Sequence, residues 1–571
     1  MATKHARSWI RSSRRQHLSL AGLYFCLFCF DGLYQTAFLP STASAYVALM
    51  AGQKARPLDG QFNRVPVLHS NQPEEVEGPG ILINTSPGSA YSAESGQTLR
   101  NAEYTFNGDF GIHIHHKYFP AYRGSIGSDG RRSELTIGVI LINSNYRPVH
   151  IKFSTGAVRN SFEAPYLANS MTGVRPLGPR PWNTGPGDAT AIQMLRGRLD
   201  PKLAEEITIP ARSRVVLFQT DLPALGIANA LLRGNSDGPF QMAVVAAKEP
   251  QSDWDLVNVL DQGQLAPGRV YLNRIAEINN RQIFSRVGGV AIGDSYTASV
   301  SHNLELNGAL HVPLTSTNRN NFGTREIQVN PLAARMVDSS LDNVGTYGVR
   351  FDVDFNLQGS GAYDLVLSHP DAVGGRPFTA FRGSIQVKTE AGLQEYHVVL
   401  KSGQSLAISS LELRPGVNNP VRVSLVYPAD ATPGHLLSIV PSQQLGRILE
   451  LERQQAVARA EAERAAKRRQ PRLTKRGQTA VATKSESLPE LPPIPEDSPQ
   501  AVLGLQQPIV FPPPTVPAMT LPPQNFPESV GSPPLVPSPQ ETSLPSSQTM
   551  IDRYQQALEA QQDIMRGLMK H

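Results

Sequence analysis

Both cysteines of this 571-residue chain, Cys26 and Cys29, fall inside one apolar run, Leu18 to Phe30. Nothing downstream can therefore be held by a disulfide or a metal thiolate, and no thiol nucleophile is available there. Whatever folds beyond that run must be stabilised by burying its own apolar side chains. The run follows Lys4, Arg7, Arg11, Arg14 and Arg15 and precedes Ala43-Ser44-Ala45. A positive start, an apolar middle and a small-residue cut site are the layout of an export signal. Cleavage after Ala45 is expected, which leaves a thiol-free chain outside the cytoplasm, in the periplasm, the envelope or beyond. The alternative is an uncleaved anchor extended to Leu39, which places Asp31 in hydrocarbon at a cost of ~2.5–3.5 kcal/mol. Arg14-Arg15 also fits a twin-arginine signal, so the export route stays open between that and the general one.

Charge is unevenly placed. The whole chain carries +5, but the export start alone accounts for five positive charges and Arg447 to Arg476 for six net ones. The remainder is mildly acidic, so the basic balance does not point to nucleic acid.

Residues 56–440 read as β-structure. Segments such as Gly80 to Ile83, Leu135 to Ile142, Val149 to Phe153, Val215 to Phe218, Gln241 to Ala246, Tyr347 to Phe355, Tyr363 to Leu367, Tyr396 to Leu400 and Val421 to Tyr427 are short and apolar or alternating. Gly, Pro, Asn and Asp separate them. One short helix is expected from Asp188, as its N-cap, to about Leu199. The fold class is mainly β, with two β-sandwich-like domains, at 56–260 and 261–440, after a linker at 46–55. Two stretches, Ile137 to Ser154 and Tyr347 to Ser368, share a strand–turn–strand layout. The octets at 119–126 and 378–385 are also alike, but their order relative to that layout differs between the halves.

Beyond Pro441 the composition shifts. Residues 441–476 form a basic helix rich in helix formers, apolar only at its start (Leu445, Ile448, Leu449, Leu451). Residues 477–548 form a Pro-rich disordered linker that favours polyproline II. At 549–571 an amphipathic helix places Ile551, Tyr554, Leu558, Met565 and Leu568 at a/d spacing, broken by Gln561. Such a face is expected to self-associate or dock on a partner, the other reading being a marginal helix in a solvated tail.

Few constellations carry chemistry. His113 and His115 share a strand face, the spacing of a two-imidazole metal site, although a cupin-type glutamate is missing after them. The competing reading is an ordinary packed or hydrated strand face. Gly234-Asn235-Ser236-Asp237-Gly238 matches a hydrolase elbow, but a strand follows it where a helix is needed, and a glycine-rich turn explains it better. No catalytic residue and no cofactor are assigned.

With those segments laid out, the chain resembles a family of exported cyanobacterial proteins known as domain of unknown function 3370. The resemblance rests on Arg-Pro-Leu-Asp-Gly-Gln-Phe-Asn-Arg-Val-Pro-Val at 56–67, Asn-Gln-Pro-Glu-Glu at 71–75 and Gly-Ile-Leu-Ile at 80–83. It continues through Gly-Pro-Gly at 185–187, Leu-Arg-Gly at 195–197, Ile-Pro at 209–210, Ser-Asp-Gly-Pro at 236–239 and Gly-Arg-Val at 268–270. Tyr-Gly-Val at 347–349, Phe-Arg-Gly at 381–383 and Tyr-Pro-Ala-Asp-Ala-Thr-Pro at 427–433 complete it. It implies export and a β-rich body and carries over no activity.

The expected role is a non-catalytic binding or structural protein of the envelope. Its partners would be an envelope protein or polysaccharide, with Arg447 to Arg476 touching an anionic surface. The alternative is an enzyme or carbohydrate-binding protein acting on envelope or extracellular polysaccharide, with a cleft lined by aromatics such as Trp182 and Trp254 and by paired acids.

Overall fold

The computed structural model describes residues 54–120, 134–166, 172–178, 184–370, 378–429 and 431–469. The export signal, Trp182, residues 470–476, the Pro-rich segment and the final helix expected at 549–571 lie outside them.

The described chain is mainly β, as the alternation of short apolar segments requires. Its spine is one strand, Ile227–Lys248, of 22 residues. The first half of this strand pairs with Phe106–Tyr118 and Val149–Asn160, and its second half with Gly80–Asn84 and Glu134–Asn143. The change of partners falls at Gly234 to Pro239, where the register shifts between Ser236 and Phe240. This is the segment expected to be a glycine-rich turn, and here the structure differs. Extended backbone runs through it, and the glycines make a bend at which one strand passes from one sheet layer to the next. Phe106, Phe110 and Phe240 pack together beneath that corner, fully buried.

A second apolar core gathers around Phe351, Phe355, Phe381, Leu425 and Tyr427. It lies between a seven-stranded sheet and a four-stranded sheet of Leu310–Leu314, His435–Pro441, Gly361–Ser368 and Ser405–Leu413. Strand pairing crosses the expected division at residue 260 in both directions. Gln61–Phe62 and Gly173–Pro176 form the two edges of the seven-stranded sheet. Gly288–Ile292 and Asn330–Arg335 join the sheet of the first core through Pro66–Ser70. Short segments from one half thus close the sheet edges of the other, which removes exposed backbone donors and acceptors.

In neither of the two strand–turn–strand stretches do the strands form a hairpin. Glu134–Asn143 does not pair with Val149–Asn160, nor Arg350–Gln358 with Gly361–Ser368. In the first stretch both strands pair with Ile227–Lys248, on its two halves; in the second the two strands share no partner.

Two helices are placed where they join or leave the cores. Helix Pro186–Leu195 lies between the two cores, with Ala191, Ile192 and Leu195 against Leu231 on one side and Val426 on the other. It begins two residues before Asp188, with Gly185 as N-cap and Pro186 in the first turn, where a missing N–H costs nothing. It also stops at Leu195 rather than near Leu199. Helix Ser442–Arg469 leaves the body directly after the last strand. Leu445 is buried against Ala309, Val366 and Val440, and Ile448 packs beside it. Beyond that turn Leu449, Leu451 and Val457 are exposed, as its early loss of apolar positions predicts.

Candidate functional site

The densest set of buried polar side chains lies where helix Pro186–Leu195 meets both cores. Asp188 is not a cap. Its side chain is 1% exposed, and its Oδ2 accepts from Ser384 Oγ and from His397 Nδ1, both at 2.9 Å. Ser384 and His397 are cross-strand neighbours on Thr379–Thr389 and Gly392–Lys401, which is why one carboxylate reaches both. The first helical turn also favours a negative charge there. The order is Ser–Asp–His, with the carboxylate in the middle. A nucleophilic triad needs the imidazole between serine and acid, so this trio ties the helix to the sheet and activates no hydroxyl. About two turns on, Arg196 donates through Nε and Nη2 to Glu395, which also accepts from Gln386. That pairing and its hydrogen bonds hold the Glu395 carboxyl below the usual range.

On the other side of the same helix, Thr190 Oγ1 meets the Asn229 amide at 2.6 Å, and that amide meets His115 Nδ1 at 3.0 Å. His113 Nδ1 lies 3.0 Å from His69 Nδ1. His116 is bonded to Ser70 Oγ and donates to the Pro73 carbonyl at 2.7 Å. Gly348 approaches His113 so closely that a Cβ there would sit 3.2 Å from the imidazole Cγ, with φ at +75°. Burial pushes His69 and His116 down to about 3. His113 is pushed well below its ordinary value by burial and by the neighbouring imidazoles. A contact between two Nδ1 atoms needs one to carry the proton and the other a lone pair, which two neutral rings supply. His69, His113 and His116 are thus packed as neutral imidazoles. Among the described residues no group of three or more His, Cys, Asp or Glu side chains is arranged to hold a metal ion.

Ser236 lies at the sheet corner, 4% exposed, and its Oγ accepts from the Gly108 N–H. Among the described residues no histidine is hydrogen-bonded to it. Trp254 stands on the first turn of helix Asp253–Asp261 and is 66% exposed. A cleft of about 300 Å³ opens between Phe218 to Asp221, Asn160, Glu163 and Pro250. Its Asp221 carboxyl is raised by burial and by Glu163, and nearby Glu134 is raised by burial and by Asp221. Glu163 itself is paired with Lys202.

Sequence reasoning pointed to His113 and His115 and missed His69, Asn229, Asp188 and His397. The partners stand 44 to 209 residues apart in the chain, and only strand order brings them together.

Comparison with protein-family models gives a match over residues 53–441 to a family described as Protein of unknown function (DUF3370). No curated protein matches the chain.

Proposed function

The chain belongs to the DUF3370 family, a description that names no activity, and from that premise we propose that it is an exported, non-catalytic binding or structural protein of the cell envelope. The observation that carries this reading is the way helix Ser442–Arg469 leaves the body. Leu445 and Ile448 pin its first turns to the sheet, and Arg447 between them and Arg453 and Arg464 beyond them are exposed. A pinned, solvated helix is a stalk. It carries the net-positive sequence Arg447 to Arg476 away from a mildly acidic body and toward an anionic lipid or polysaccharide surface. The N-terminal signal, cleaved near Ala45, delivers the chain there. The Pro-rich segment then spaces a last amphipathic helix for self-association through Ile551, Tyr554, Leu558, Met565 and Leu568.

A second reading, carbohydrate binding or cleavage, draws on the cleft at Asp221 and Glu163 and on the exposed Trp254. An activity screen on envelope glycans separates the two, because binding without turnover favours the first.

The test uses the mature protein, residues 46–571, mixed with phosphatidylglycerol-containing vesicles. Association is expected to weaken strongly from about 0.1 M to about 1 M salt, as the screening length falls from about 10 Å to about 3 Å. Glutamine in place of Arg459, Arg464, Lys467, Arg468 and Arg469 should abolish it at low salt. Association indifferent to salt or to those substitutions contradicts the proposal.

A further inference from the structure

A groove of about 360 Å³ opens beside the corner where strand Ile227–Lys248 changes sheet layers. Its walls are Arg233 and Asn235 on that strand, Phe153 and Ser154 on Val149–Asn160, Asp109 on Phe106–Tyr118, and Asn63 just after strand Gln61–Phe62. The size is that of a small-ligand site.

Its polar groups are fixed before any ligand arrives. Arg233 donates through Nε to Asp294 Oδ2 at 2.6 Å. Asp294 Oδ1 in turn accepts from Asn63 Nδ2 at 2.6 Å, and the Asp294 N–H donates to Asn63 Oδ1. This clamp holds the guanidinium at one edge. Its two amino groups make no hydrogen bond to protein among the described residues. Asn235 Nδ2 donates to Asp109 Oδ1 at 2.7 Å, which leaves the second Asp109 oxygen as an acceptor. Ser154 Oγ donates to the Arg233 carbonyl. Phe153 and Val65 supply the apolar wall.

Fixed donors, a fixed acceptor and an apolar wall match a ring that carries adjacent hydroxyls on one edge and C–H groups on its face. The charge selects further. Arg233 is balanced by Asp294, and Lys152 at the rim by Glu206. Asp109 is left over, so the groove disfavours an anion. We propose that this groove is a subsite for a neutral sugar ring of a polysaccharide, with Arg233 and Asp109 bonding a vicinal diol. This gives the body a ligand class, and it stands apart from the surface contact made by the basic helix.

Titration calorimetry and saturation-transfer NMR on residues 46–571 with cellohexaose, maltohexaose and a mannuronate hexamer test it. At least one neutral hexamer is expected to bind, and the mannuronate hexamer more weakly. Asp109→Ala removes the acceptor at an exposed position, and Ser154→Tyr fills the groove while leaving the Arg233–Asp294 clamp. Each should weaken the neutral hexamer roughly tenfold or more and leave vesicle association and the melting temperature unchanged. Absence of binding by both neutral hexamers, tighter binding of the mannuronate, or unchanged affinity in both variants overturns the proposal.

Discussion

Acidification from about pH 7 to about pH 4.5 should destabilise this protein by roughly 5 kcal/mol through His69 and His116 alone. Both are fully buried, and burial lowers each from 6.5 to about 3. The unfolded chain therefore binds protons at these positions that the folded chain refuses. Between pH 6.5 and about 3 unfolding takes up protons, so stability is complete above that window and falls as the pH drops through it. Each ring contributes about 1.4 kcal/mol per pH unit inside the window. His113 adds in the same direction, as does His311, lowered by burial to about 4. Glu74 does not contribute in this range. Burial would raise its carboxyl, but Lys117 and Arg286 outweigh that and hold it at about 2. Its stabilising effect is lost only at lower pH. Urea unfolding of the mature chain across a pH series checks the expectation. His116→Gln, which can still donate to Pro73 and accept from Ser70, should reduce the slope by about 1.4 kcal/mol per pH unit. A flat profile between pH 7 and 4.5 would contradict the neutral imidazoles.

The second large effect concerns Arg269 and Asp338, whose side chains are both 0% exposed. Arg269 Nη1 donates to both carboxylate oxygens at 3.0 and 3.1 Å, and Nη2 donates to the Leu82 carbonyl at 2.5 Å. Gln72 Nε2 completes the shell of Asp338 at 3.0 Å. Four distant segments are thereby tied at one buried point. Arg269→Met leaves the carboxylate buried and uncompensated, and a loss of about 3–5 kcal/mol is expected. The double change Arg269→Met with Asp338→Leu should recover most of it, because two apolar side chains leave no unpaired charge. Equal losses in the single and double variants would show that shape, rather than charge pairing, holds this point.

The strands were legible because apolar runs of strand length stand between turn residues. The exit helix was legible because helix formers persist where apolar spacing ends. What sequence could not supply was the use made of particular residues. Gly268-Arg269-Val270 stood out only as part of a resemblance. In the fold Gly268 has φ +108°, and a Cβ there would sit 2.1 Å from the Glu75 carbonyl oxygen, so the glycine lets Arg269 enter the core. Asp188 looked like a helix cap because an acid at a helix start usually is one; it is spent on a lateral bond to another strand pair. The elbow-like glycines around Ser236 looked like a turn because strand pairing that changes layers leaves no periodicity to read. The pairing of His113 with His69 depends on a parallel strand contact that no local pattern announces.

We propose that this thiol-free body works outside the cytoplasm, held by its basic helix and tail. The most direct measurement is the N-terminus of the native protein recovered from fractionated cells, read by mass spectrometry. Tyr46 is expected as the first residue, in the envelope or extracellular fraction. An intact Met1 on soluble protein in the cytosol would contradict the claim.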